Sequence, residues 1–224
     1  MHVCLFDIDG TLLASGGAGK AAMELSLCEE FGVDLSAERV PYSGRTDRAI
    51  GHDLLRLHGL AVTPENWHRL TAGYLRRLPD SLNRHRGRVL PGIAELLRQL
   101  AARSDVAVGL LTGNIRDGAR VKLGHYGLFD FFSFGGYGDR HLDRDDVARE
   151  ALDVARQFLS GTVFLDRIWV IGDTPLDVRC ARCIGVRVAA VCTGFHSSEE
   201  LAAAEPDLLL TDLSDPAPLL SLWG

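Results

Sequence analysis

A chain of 224 residues, 46% of them hydrophobic, is long enough to bury a full core, either as one large domain or as a core with a smaller companion. Its formal net charge of −6 argues against a general nucleic-acid binder, because phosphate backbones reward basic surfaces. No apolar run approaches the roughly 18–20 residues that span a bilayer, and five scattered cysteines make no disulfide framework.

MHVCLF at the start runs straight into a strand, without the charged and apolar regions of a signal peptide, so a cytoplasmic protein is expected. Of the basic residues only Lys20 and Lys122 are lysines, a bias compatible with a GC-rich genome.

The first element is VCLFDIDGTLL (residues 3–13), an apolar strand followed by Asp7 and Asp9. The period-2 alternation of a strand aims both acids to one side and Ile8 to the other. Carboxylates at the end of a buried strand are costly unless paired, hydrogen-bonded or bound to a cation. A helix-spaced stretch follows over 18–31, then two more near 46–58 and 64–84, the last with Thr63 as its cap and Pro64 at its first position. No strand pattern interrupts them, so 15–86 reads as a helical insertion.

From Val89 the texture alternates. LPGIAELLRQLAA is an amphipathic helix and VAVGLL (106–111) a buried strand. A helix is predicted over 115–125, a short strand over 131–134, a helix over 145–158 and the strand IWVIG over 168–172. Next come a helix over 176–184, the strand VRVAAVC over 186–192, a weaker helix over 198–204 and the strand LLL at 208–210. This order predicts an α/β fold, a doubly wound parallel sheet with helices on both faces.

In such folds ligands bind outside the carboxyl ends of the strands. Three strands here end in polar clusters: FDIDGT after the first, LTGN (111–114), and IGDTPLD (171–177). Clusters at one edge of one sheet can converge on one point.

Other motifs fail on spacing. AGGAGKAA has Ala14 and Ala21 where a phosphate-binding GxxxxGK[ST] loop needs glycine and a hydroxyl, and reads as a hinge. GGYG (135–138) reads as a loop after a strand. Cys180 and Cys183 form a CxxC without a second pair, which favours helix packing over zinc.

The three clusters, in this order, resemble the haloacid dehalogenase-like (HAD) hydrolase superfamily. Asp7-Ile8-Asp9-Gly10-Thr11 is similar to its DxDGT motif, Thr112 with Gly113 to its second motif, and Asp173 with Asp177 to GDxxxD. The resemblance implies a Rossmann-like core over 1–14 and 87–224, with 15–86 as a C1-type helical cap. The family's third motif is usually a lysine; the matching segment DRHLDRDDVAREAL (139–152) has none. Arg144 stands in the best place, with Arg140 and Arg149 as competitors.

The resemblance further implies a Mg²⁺-dependent phosphatase acting on a small phosphorylated metabolite, as a monomer or homodimer. Asp7 is then the nucleophile and Asp9 the acid and base. The metal is held by Asp7, Asp173 and the backbone carbonyl of Asp9, with Asp177 in support. Gly10 would let the backbone approach the phosphate, Thr112 and the Gly113 amide would bind its oxygens, and Arg144 would neutralise it. For Thr11, phosphate contact and tying the turn both stand. For Asn114, substrate contact and capping of the next helix both stand.

GRTD (44–47) resembles a loop of phosphoglycolate phosphatase-like members, with Arg45 reaching an anionic leaving group. Alternatively, Thr46 or Asp47 caps the following helix and Arg45 is solvated. A β-phosphoglucomutase-like mutase and a retired enzyme serving as a binding module are the rival readings; Asp9 argues against dehalogenation, whose halide leaving group needs no proton.

Overall fold

The computed structural model describes residues 1–160 and 163–223. Its sheet is built from β1 (His2–Phe6), β4 (Val106–Leu111), β5 (Phe134–Gly136), β6 (Ile168–Gly172), β7 (Arg187–Val191) and β8 (Leu208–Leu210). These strands are all parallel, in the order β5-β4-β1-β6-β7-β8. β1 lies between β4 and β6, with Val3 opposite Ala107 on one side and Ile168 on the other. The strand order reverses there, which makes the carboxyl end of β1 the crevice of the sheet.

Each strand is apolar on both faces because helices cover both. Cys4, Phe6, Val108, Leu110, Trp169 and Ile171 face α4 (Ile93–Ala101) and α5 (Arg116–His125) through Leu96, Leu100, Ala119 and Leu123. Val3, Leu5, Leu111, Val170 and Val188 face α6 (Arg144–Phe158) and α7 (Pro175–Cys183) through Val147, Ala151, Val178 and Ala181. Alternate residues of one strand thus enter different cores. A further short helix, α8 (Ser198–Ala203), starts at a capping box made by Ser197 and Glu200.

Between β1 and α4 the chain forms α1 (Ala18–Phe31), α2 (Asp47–Leu57) and α3 (Pro64–Arg84). They share a separate apolar cluster that includes Met23, Leu27, Ile50, Leu54 and the α3 stripe Leu70, Tyr74, Leu78 and Leu82. A four-residue repeat of that kind lies along one helix face. Thr63 caps α3 by accepting from the Asn66 amide, with Pro64 at the first helical position.

Two differences from the sequence reading have plain causes. A two-stranded antiparallel ribbon, β2 (Leu13–Ala14) with β3 (Arg88–Val89), brackets the insertion and is too short to leave a periodic pattern. The strand expected at 131–134 lies at Phe134–Gly136, while Phe129–Phe131 forms a turn of 3₁₀ helix. The aromatic residues that suggested a strand pack on the core instead, and the glycines that form one carry no side-chain signal.

Candidate active site

Asp7 follows β1, and its amide donates to the Ile171 carbonyl (2.9 Å), so the sheet itself fixes the backbone under this carboxylate. Asp173 and Asp177 come from the end of β6 and the first turn of α7. Thr174 and Asp177 form a capping box, so the residue that closes the helix start also presents an acid to the site. One carboxylate oxygen each from Asp7, Asp173 and Asp177 lie within 4.8 Å of one another, and all three residues are buried.

Arg144, the first residue of α6, reaches this cluster with its side chain only 3% exposed. Its Nη2 donates to Asp177 Oδ1 (2.5 Å) and approaches Asp7 Oδ2 at 3.1 Å, while Nη1 donates to the Gly44 carbonyl (3.2 Å). Arg144 Nε is buried and has no hydrogen-bond partner among the described residues. The rival Arg149 is occupied elsewhere, with Asp146 and Cys183, and Arg140 is exposed.

Burial pushes the Asp7 carboxyl up to about 6, against the pull of Arg144, with Asp177 and Asp9 adding to the rise. Asp173 is raised well above the usual carboxylate range by burial and by its acidic neighbours. Two raised acids beside each other form a hard-oxygen donor set short of positive charge, and this fits a divalent cation such as Mg²⁺.

Asp9 is oriented differently. Its Oδ2 accepts from Lys122 Nζ (2.6 Å) and Asn114 Nδ2 (3.0 Å), and its Oδ1 accepts from Ser15 (3.3 Å). Burial disfavours charge on Asp9, but the Lys122 ammonium outweighs it and holds the carboxyl below its ordinary value. The carboxylate trio is therefore Asp7, Asp173 and Asp177, and the Asp9 side chain stands beside it rather than in it.

Thr112 is fully buried; its Oγ1 accepts from the amide and the side chain of Asn114. Asn114 does not cap α5. That helix start is closed by Asp47, which accepts from the Ile115 amide (2.9 Å), and by Asp139, which accepts from the Arg116 amide (2.9 Å). Thr11 donates its hydroxyl to Asp173 Oδ1 (2.9 Å), so it ties the acidic cluster together, and it is buried beneath the cavity lining.

Gly10 sits at φ +88°, where a Cβ would stand 2.3 Å from Asp173 Oδ2. A Cβ at Gly194, after β7, would stand 1.7 Å from the same oxygen. Both positions keep the space around Asp173 free of side chains. Gly113 is equally tight: a Cβ there would lie 2.1 Å from the Arg45 carbonyl.

The insertion docks over this edge. The Asp47 amide donates to the Gly113 carbonyl (2.7 Å), Arg48 to the Asp139 carbonyl (2.9 Å) and Thr46 to the Leu142 carbonyl (3.3 Å). Thr46 also caps α2. Arg45 lines the cavity between the two layers, and its guanidinium is engaged by Asp53 (2.6 Å) and the Pro41 carbonyl (3.0 Å). A cavity of about 630 Å³ separates the two layers, with Asp7, Asp9, Asp173, Arg144 and Lys122 on the sheet side and Lys20, Tyr42 and Tyr74 on the insertion side.

Lys122 is the residue that sequence reasoning missed. It sits mid-helix in α5 with no motif around it, yet it is 4% exposed and pairs with an acid 113 positions away. The available signal was compositional: two lysines against 22 arginines, and both lysines line this cavity.

The sequence profile of the haloacid dehalogenase-like hydrolase family matches residues 4–182. The phosphoglycolate phosphatase of Synechococcus elongatus is 33% identical over 222 residues, spanning 96% of this chain and 95% of that protein. The phosphoglycolate phosphatase of Photorhabdus laumondii is 24% identical over 230 residues, spanning 98% and 91%. Among solved structures, CbbY from Rhodobacter sphaeroides in complex with phosphate superposes with a TM-score of 0.76 at 21% identity, covering 96% of each chain. Together with the parallel sheet and the acidic edge, these matches place the chain in the haloacid dehalogenase-like hydrolase family.

Proposed function

We propose that this protein is a Mg²⁺-dependent phosphatase that hydrolyses a small phosphate monoester of the phosphoglycolate type through an aspartyl-phosphate. The observation that carries the reading is the buried trio of Asp7, Asp173 and Asp177, gathered within 4.8 Å against Arg144 at the edge of a closed-over cavity. The full-length similarity to two phosphoglycolate phosphatases supports the choice of substrate class.

Asp7, Asp173 and the Asp9 carbonyl would hold the Mg²⁺. When bound, it supplies the positive charge that lets a carboxylate approach an anionic phosphoryl group. Asp177 and Thr11 act on the holders: Asp177 fixes Arg144 and the α7 start, and Thr11 fixes Asp173.

Asp7 attacks phosphorus while the bond from phosphorus to the leaving oxygen breaks, and Asp9, which takes up a proton as the anionic phosphoryl group docks beside it, gives that proton to the leaving oxygen. Water then attacks the phosphorus of the aspartyl-phosphate, Asp9 takes a proton from it, and phosphate leaves as Asp7 is regenerated. Arg144, whose Nε has no protein partner among the described residues, binds the transferring oxygens, with Thr112 and the Gly113 amide on the other flank. Residues 15–86 serve as the cap that excludes water and selects the leaving group.

Assay of 2-phosphoglycolate and other phosphorylated metabolites with Mg²⁺ and with a chelator tests the reading. Metal-dependent phosphate release with a preference for small acidic esters is expected; no release from any monoester refutes it.

A further inference from the structure

Lys122, Asp9 and Asn114 form a closed triangle in which every pair is hydrogen-bonded. Lys122 Nζ donates to Asp9 Oδ2 and to Asn114 Oδ1, each at 2.6 Å, and Asn114 Nδ2 donates to the same Asp9 oxygen at 3.0 Å. Asn114 Nδ2 also reaches Thr112 Oγ1 (2.9 Å), so the triangle is joined to the residue at the phosphate flank. The Lys122 side chain is 5% exposed while that of Asp9 is 39% exposed, so the ammonium lies behind the carboxylate, which faces the cavity.

We propose that Lys122 is a positioning residue for the reaction: it holds the Asp9 carboxyl, through one shared oxygen and through Asn114, in line with the oxygen that leaves.

Three features argue for positioning over simple charge pairing. An ammonium presents three donors from one atom, which lets Nζ sit 2.6 Å from two acceptors at once, Asp9 Oδ2 and Asn114 Oδ1. The chain uses arginine for 22 of its 24 basic residues, and lysine stands here. The insertion also closes on the ammonium. A Cβ on Gly19 of α1 would lie 3.0 Å from Nζ and 3.9 Å from the Tyr74 hydroxyl, so the bare helix face at Gly19 is what leaves Nζ its place.

The inference rests on the phosphatase reading, in which Asp9 gives a proton to the leaving oxygen. An alkoxide needs that proton, while p-nitrophenolate is stable without it. Loss of aim at Asp9 therefore shows as a dependence on the leaving group, read in kcat/KM, which covers steps only through departure of that group.

The test compares 2-phosphoglycolate with p-nitrophenyl phosphate in Lys122→Met and Gly19→Ala. For Lys122→Met, kcat/KM on the alkyl ester is expected to fall about 100-fold, and on the aryl ester at least about tenfold less than that. Gly19→Ala, which crowds Nζ and suits a helix better than glycine, is expected to show the same skew to a smaller degree. Should Lys122→Met fail to fold, Gly19→Ala decides alone. Equal falls on both esters, or an unchanged alkyl-ester rate, overturn the positioning role. A wild-type protein inert towards both esters overturns it together with the phosphatase reading, and is told apart by that inertness.

Discussion

Arg144 Nη2 stands 3.1 Å from Asp7 Oδ2 and 2.5 Å from Asp177 Oδ1, so one guanidinium at the start of α6 joins the acid after β1 to an acid in the first turn of α7. Its other terminal nitrogen holds the Gly44 carbonyl of the insertion. A lysine placed there keeps the charge but has one nitrogen for three acceptors. Arg144→Lys is therefore expected to lower kcat/KM on a phosphate monoester about tenfold, and Arg144→Met by about 100- to 1,000-fold, the cost of removing a preorganised donor. Steady-state kinetics on both variants check the order; equal activity in all three proteins contradicts it.

Asp7 is pushed up to about 6 and Asp173 well above its ordinary value, so both bind protons more tightly folded than unfolded. The metal-free protein should then lose stability as pH rises from about 4 through about 6, because ionising these acids costs more in the fold than outside it. Mg²⁺ competes with those protons, so its stabilisation should grow over the same interval. At a hundredfold excess over Kd the gain is about 2.7 kcal/mol, or roughly 5–10 °C in Tm for a chain of this size. Thermal melts with chelator and with Mg²⁺ measure it. A shift larger at pH near 5 than at pH near 7.5 runs against the account.

Gly194 isolates the position of Asp173. An added Cβ would lie 1.7 Å from Asp173 Oδ2, so the carboxylate must move. Gly194→Ala should raise the Mg²⁺ concentration for half-maximal activity about tenfold or more, a cost of at least 1.4 kcal/mol. At Gly10 the same crowding adds the left-handed φ of +88°, worth about 1–2 kcal/mol of stability for any side chain. A metal titration and a melt of each variant separate the two effects.

The legible parts of this protein were those written locally. α3 was bounded at Pro64 and Arg84 because its start carries Thr63 and Pro64 and its face repeats every four residues. The acids after β1 and β6 stood out because charged residues at the ends of apolar runs demand a reason. The rest depended on pairing across the chain. Lys122 meets Asp9 only once α5 packs beside β1, and Asn114, for which capping and substrate contact both stood, joins that network while Asp47, from the insertion, takes the cap. For Arg45 the sequence left ligand contact and solvation both open, because its partner Asp53 lies two turns along α2 and the pair forms only once that helix is in place.

The most direct test of the central claim is chemical trapping of the phosphorylated residue. Rapid acid quench during turnover, borohydride reduction and peptide sequencing should convert residue 7 from aspartate to homoserine, and Asp7→Asn should yield neither the product nor turnover while keeping the wild-type melt. Trapping at another side chain, or undiminished hydrolysis by Asp7→Asn, would contradict it.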